Sequence, residues 1–342
     1  WYHRVAMKTL RISLAILLAM LFVITAVLAL LLFNFDRRAF SAETYQQAFA
    51  REDFYNKIPS LLAQSILSGT DPTQQPFGMQ GLSQETWDGF FRTLLPSDVL
   101  KPIGDDMLGS TFAYINLESD SIQVNLGPVK ANMLGETGIQ AALVLVKSLP
   151  ACTIDQAAMI MFGMFSGDQI QLCNPPENVL PMLMPLIQGQ MQVAASLIPD
   201  QLTLITAPPQ NDPRLRLQSA RLFMRFSPIL PLVFLLGLTA LGVRSFRDWL
   251  NWWGIPFAVT GIIAAILGFV GGPILGGLLS SYIANWMQAV LPSAFFTFAN
   301  ELATAMANAL LTPVMWQGWI LTVIGIGMVA VGILLGMWRR AE

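Results

Sequence analysis

Residues 12 to 33 read I-S-L-A-I-L-L-A-M-L-F-V-I-T-A-V-L-A-L-L-L-F, a run without one Asp, Glu, Lys, Arg or His. At ~1.5 Å per residue, a helix of this length crosses a hydrocarbon core of ~30 Å. Three later stretches share the property: Phe226 to Val243, Ile255 to Leu279 and Gly318 to Met337. The whole chain is 54% hydrophobic and 12% charged, against roughly 45–50% and 25% for a soluble domain, and that apolar excess calls for lipid. The expected fold is therefore mostly α. It comprises a four-helix transmembrane bundle with a large, mainly helical extracytoplasmic domain inserted between the first and second spans.

Working outward from the first run, Lys8 and Arg11 give it the basic flank of a signal peptide. Its apolar length exceeds the roughly 7–15 residues of a signal h-region, and no clear A-x-A site follows Leu32, so it reads as an uncleaved anchor. Met7 opens M-K-T-L-R before the run and is a candidate start. The resulting division is a cytoplasmic N-terminus (1–11), first span (12–33), external domain (34–220), second span (226–243), cytoplasmic link (244–254), third span (255–279), external segment (280–317), fourth span (318–337) and cytoplasmic C-terminus (338–342).

Orientation follows from Lys and Arg in the short segments. Arg4, Lys8 and Arg11 precede the first span, Arg244 and Arg247 lie in the link, and Arg339 and Arg340 follow the last, whereas residues 280–317 carry none. Both termini are expected in the cytoplasm. Arg221 and Arg225 oppose the rule and are assigned to the interface. Trp249, Trp252 and Trp253, with Trp316, Trp319 and Trp338, fit an aromatic belt at the headgroups.

Charge-free spans argue against a proton-coupled carrier or a charged ion pathway, since such groups enter lipid mainly for function. The third span instead carries Ala264, Gly268, Gly272 and Gly276 four apart, and the fourth carries Gly325, Gly332 and Gly336. Small faces let backbones approach closely, within one chain or in a homodimer through the third span.

The external domain holds 18 acids and 10 bases, which disfavours nucleic acid as a partner. Helices are expected from Ser41 through Tyr45, Phe49, Ile58 and Ile66 to Gly69, from Ser83 through Trp87 and Phe91 to Pro96, and from Ser97 towards Phe112. Ser121 to Leu126 and Gln201 to Ile205 alternate as strands and are candidates to pair as one short two-stranded β element. Residues 69–82 and 206–213 read as loops. Cys152 and Cys173 precede Thr153-x-x-Gln156 and Asn174-Pro-Pro-Glu177, each resembling a capping box at a helix start. On the external side thiols oxidise, so a structural disulfide is expected, closing a loop of about 22 residues. Beyond the third span, Tyr282, Trp286 and Val290, then Phe295, Phe298, Leu302, Met306 and Leu310, suggest two amphipathic helices, lying on the leaflet or seating the large domain.

No catalytic, nucleotide or zinc motif occurs, so no enzyme activity, cofactor or metal is expected. Asp105-Asp106 and Glu118-x-Asp120 are the nearest to paired carboxylates and read as a solvated face and turn residues. Absent Asn-x-Ser/Thr sites lean towards a bacterial plasma membrane. One span, a large external domain and three more spans resemble the layout of MacB-type and FtsX-type ABC permeases, which implies a lever driven by a cytoplasmic ATPase. The segment 280–317 is longer than that layout requires. Leu149-Pro-Ala-Cys152-Thr153 and Cys173-Asn-Pro-Pro-Glu177, with the overall pattern, resemble a group of multi-pass bacterial membrane proteins. That resemblance implies no activity.

Two functions remain in view. The first is a non-enzymatic anchor or scaffold whose disulfide-tied domain binds another envelope component. The alternative is an ABC-type permease subunit, or another component handling lipid or apolar cargo, that lacks its own ATPase.

Overall fold

The computed structural model describes residues 2–69, 82–153, 173–177, 179–287 and 293–341. It is mostly helical, with one two-stranded antiparallel sheet. Helix α1 (Tyr2–Ala39) is followed by α2 (Ala42–Arg51), α3 (Phe54–Gly69), α4 (Gln84–Leu94), α5 (Ser97–Ile115), strand β1 (Ser121–Asn125), α6 (Gly127–Leu134) and α7 (Glu136–Lys147). Then come α8 (Leu180–Ser196), β2 (Gln201–Thr206), α9 (Pro213–Phe226), α10 (Ile229–Gly242), α11 (Phe246–Met287) and α12 (Ser293–Ala341). Four segments are long and apolar enough to cross a membrane: Thr9–Ala39, Pro213–Gly242, Phe246–Tyr282 and Phe296–Trp338.

The chain divides into two compact units. The span unit contains residues 1–48, 208–281 and 300–342, and the disulfide unit contains 49–207 with 282–299. In the disulfide unit, α4 presents Trp87 and Leu94 to two small cores. One gathers Ala63, Leu82 and Trp87, and the other Leu94, Met133, Ala141 and Ala195. Ser83 caps α4 by accepting the Thr86 amide at 3.2 Å, as its position before the Trp87 periodicity implies. Ser60 and Arg92 both donate to Asp88, at 2.7 Å each, which pins α3 to α4. Burial pushes the Asp88 carboxyl up, but the Arg92 and Ser60 hydrogen bonds and the Arg92 charge outweigh it and hold the group below its ordinary value.

Several boundaries differ from the sequence reading. The helix expected from Ser41 to Gly69 is two, broken where Asp53 takes a φ of 53°. The helix expected at Asn174-Pro175 is not there, and α8 begins only at Leu180. The reason is local: the Cys152 amide donates to the Asn174 carbonyl at 2.9 Å and the Asn174 amide to Pro150 at 2.8 Å. That parallel bridge commits the Asn174 backbone to extended pairing. The matching box at Thr153 runs into residues 154–172, outside the described residues, as do most of the loop 69–82 and Pro292. The segment 244–254 is already helical from Phe246. The amphipathic stretches after Tyr282 are continuations of α11 and α12, and residues 282–299 belong to the disulfide unit. There Phe298 stacks on Phe54, ring centroids 5.0 Å apart.

The strands pair as read. Ser121 faces Thr206 and Asn125 faces Gln201, with a register shift between Ile122 and Gln123 that gives Leu204 no partner. The turn feeding β1 closes α5 with Leu117 at φ 65°. The Glu118 amide reaches the Ala113 carbonyl at 2.8 Å and the Leu117 amide reaches Tyr114 at 3.1 Å. This is the Schellman arrangement, made here by leucine at a position usually held by glycine.

In the span unit, α11 lies against α12. A methyl at Gly268 would sit 2.6 Å from the Met315 amide nitrogen, one at Gly276 2.8 Å from Thr304 Oγ1, and one at Gly318 2.8 Å from the Gly261 carbonyl. Gly272 faces Asn308, Gly325 faces Gly254 and Ala258, Gly332 faces Asn251, and Gly336 faces Arg247. Ala264 is fully buried. The face that sequence spacing offered either to another helix of the chain or to a second copy is thus occupied by α12. Gly277, by contrast, has open space around it.

Gly268→Ala should therefore lower the thermal stability of the detergent-solubilised protein by about 1–3 kcal/mol through overpacking. Gly277→Ala should leave it unchanged or raise it by up to about 1 kcal/mol. Thermal unfolding of the two variants side by side checks the contrast. Cys152→Ser with Cys173→Ser opens a loop of sequence separation 21 and should cost about 3 kcal/mol in the chain-entropy account. That loss should show as earlier unfolding of the disulfide unit in denaturant and equal mobility on gels with and without reductant.

Candidate functional site

Cys152 and Cys173 are joined, sulfur to sulfur at 2.01 Å, with the α-carbons 5.0 Å apart. Cys173 is buried, and Leu183 and Val179 pack beside the bridge. The bond fastens the extended strap 150–152 to 173–174 shortly before α8, and no free cysteine is left. A disulfide with four apolar helices defines a membrane protein with an oxidised region. Among the described residues no group of His, Cys, Asp and Glu is arranged to hold a metal ion.

Asp105 accepts a hydrogen bond from the Tyr55 hydroxyl at 3.2 Å. Burial, then the Asp105 charge and hydrogen bond, push the Tyr55 phenol well above its ordinary value, so it stays a donor. Asp120 lends its carbonyl to the Ala207 amide at 2.8 Å, extending the sheet ladder.

Two features carry more. The first is β2, all six of whose residues are exposed, while the facing Ile122 and Val124 of β1 are buried. Leu202, Leu204 and Ile205 are 41%, 45% and 50% exposed. The strand has no charge and no proline, and within the sheet it pairs only with β1. Natural edge strands are usually blunted by lysine, proline or a covering element. Here the register shift beside Leu204 is the one such device the sheet shows. Alternation marked this segment as a strand, but its exposed second face was not legible, because Leu, Leu and Ile look like core residues.

The second is a charge clamp in the span unit. Asp36, 4% exposed, accepts from Arg221 Nε at 2.8 Å through one carboxylate oxygen and from Arg225 Nε at 2.9 Å through the other. The Arg221 guanidinium lies 4.3 Å from the Phe40 ring centroid. Two residues before Asp36 on α1, Asn34 exchanges hydrogen bonds with Gln317 of α12, at 2.7 and 3.3 Å. At the opposite end Arg11 donates to the Leu241 carbonyl at 3.1 Å. Arg221 and Arg225 looked like exceptions to the charge rule in the sequence; the structure gives both one carboxylate. Their four-residue spacing on one helix face was the available signal, and nothing in the sequence pointed to a partner 185 residues away.

No protein-family profile, curated protein or solved structure matches the chain.

Removing one partner of a buried ion pair strands the other charge and costs about 3–5 kcal/mol. Asp36→Asn should accordingly lower the unfolding temperature in detergent sharply. Asp36→Leu combined with Arg221→Met, which replaces the buried pair by apolar volume, should recover most of that loss. Thermal melts of the single and double variants measure both.

Proposed function

We propose that this is a non-enzymatic anchor in a bacterial plasma membrane. Both termini are cytoplasmic, and the disulfide unit lies outside, where it binds another envelope protein by strand addition to β2. The observation that carries the reading is the uncharged edge strand Gln201–Thr206, exposed along its whole length, on a disulfide-fastened unit. An extended segment laid along such an edge gains main-chain hydrogen bonds for affinity. Alternate apolar side chains meeting Leu202 and Leu204 would give selectivity. A sheet of two strands is marginal by itself, and a third strand stabilises it. The partner this chemistry fits is a protein with an exposed, alternating apolar segment free of charge at its centre.

The membrane part supports an anchor because its polar contacts fix helices rather than line a path. Asp36 is spent on two arginines and Asn34 on Gln317. Oxidation of the cysteine pair and the basic flanks Arg11, Arg244 and Arg247 support the external placement of the disulfide unit.

The experiment is photo-crosslinking in intact cells from a reactive residue at Thr203. A crosslink to an extended segment of one other envelope protein is expected. Leu202→Lys with Leu204→Lys should abolish it while leaving the Cys152–Cys173 bond and the melting temperature unchanged, because both leucines are already exposed. Recovery of the protein alone, or a crosslink indifferent to the two lysines, would sink the proposal.

A further inference from the structure

An apolar groove of about 270 Å³ runs along the span unit between α1, α10, α11 and α12, lined by Phe22, Ala29, Phe33, Pro228, Leu235 and Thr260 among others. A groove of this kind in a membrane protein has nothing unusual in it until its polar groups are placed. The Thr260 side chain is 1% exposed, and its hydroxyl has no hydrogen-bond partner. Other helix threonines here return theirs to the carbonyl four residues back, as Thr239 and Thr322 do at 2.8 and 2.9 Å. A buried hydroxyl without a partner is costly, and a native structure that keeps one calls for an explanation.

The mouth of the groove is cationic. Phe33, in its wall, carries the Arg37 guanidinium 5.0 Å from the ring centroid. Ser227, beside Pro228, donates to the carbonyl of Ala29 at 3.4 Å, and two residues earlier Arg225 leaves 55% of its side chain exposed while one nitrogen holds Asp36. Arg221 and Arg225 share the single Asp36 carboxylate while Arg37 rests on Phe33, so the rim keeps positive charge. Depth follows from helix register. Gly318 packs against Ala265 and follows Gln317, which bonds Asn34. Gly318 also lies against the Gly261 carbonyl, so Thr260 is one to five residues along α11 from that level, or about 2–7 Å. The drop from a phosphate to the ester carbonyls of a glycerolipid is of the same order.

We propose that the groove holds one glycerophospholipid of the leaflet at the Asp36 end. Its phosphate lies at Arg37 and Arg225, an ester carbonyl accepts from the Thr260 hydroxyl, and an acyl chain fills the space between Phe22 and Phe33. Charge complementarity selects a phosphate-bearing lipid over a neutral one. The hydroxyl at this depth selects an ester-linked glycerolipid over detergent. The site is independent of strand addition at β2, and either can fail alone.

The test is native mass spectrometry of the full-length, delipidated protein in mild detergent, titrated with dioleoylphosphatidylglycerol, with dioleoylglycerol and with inorganic phosphate. A single phosphatidylglycerol adduct is expected, with dioleoylglycerol and phosphate each binding about tenfold more weakly or not at all. Thr260→Val, which keeps the shape and removes the hydroxyl, should weaken the adduct severalfold, and Arg37→Gln should do the same without touching the Asp36 clamp. Thr312→Val, at an exposed threonine of α12, should change nothing. Equal binding of dioleoylglycerol, binding of phosphate as strong as that of the lipid, or an adduct unchanged by both Thr260→Val and Arg37→Gln would overturn the assignment.

Discussion

Asp36 receives Arg221 and Arg225, one on each carboxylate oxygen. The chain leaves α1 at this carboxylate, runs through residues 49–207 of the disulfide unit and returns through α9 to the same point. Everything between is a loop closed by that contact. A buried carboxylate is expensive unless paired and hydrogen-bonded. Two guanidiniums on one carboxylate satisfy it, and a ring beneath Arg221 covers what remains of the charge. The register of α1 against α9, and hence of α1 against α10, is set where a one-residue slip would leave an ion unpaired.

The rest of the span unit is held differently. Between α11 and α12 there is no ion pair among the described residues, and the helices meet through glycine, alanine and small polar groups. Lipid provides no hydrophobic drive to bring two apolar helices together, so close backbone approach and dispersion take its place. The cost is sensitivity at Gly261, Gly268 and Gly318, where even one methyl has no room, whereas Gly277 tolerates any small side chain because it faces away. The unit thus combines one specific polar clamp with one close-packed seam.

What the sequence made legible follows the same physics. Charge-free runs declare spans because a charge in lipid is so costly, and alternation from Ser121 and from Gln201 declared a pair of strands that do meet. Helix ends were less legible. Pro256, Pro273 and Pro313 lie inside α11 and α12 without ending them, since a helix packed against a neighbour can absorb the lost hydrogen bond. Asn174-Pro-Pro-Glu177 carries every local sign of a helix start, yet the strap beside the disulfide takes its backbone. There a tertiary pairing overrode a local preference. The clamp was illegible for a third reason: each arginine was visible, but the partner lay far off along the chain.

The two candidate sites share a logic that bears on how such a chain works. Evolution removes exposed apolar edges and unpartnered buried hydroxyls from proteins that act alone, because both are penalised in every folded molecule. Among the described residues this chain keeps an exposed edge at β2 and two buried polar atoms without a partner, the Thr260 hydroxyl and the Trp87 indole nitrogen. Asn34, Asp36 and Arg221 have partners, and the sheet's other strand is sealed by Ile122, Val124 and the Ser110 hydroxyl, which accepts the Gln123 amide at 2.8 Å. Trp87 is enclosed by its own core, with Phe90 and Phe91 against its ring, whereas β2 and the groove around Thr260 open to the surface, where under the two proposals above a protein strand would complete the first and a lipid the second.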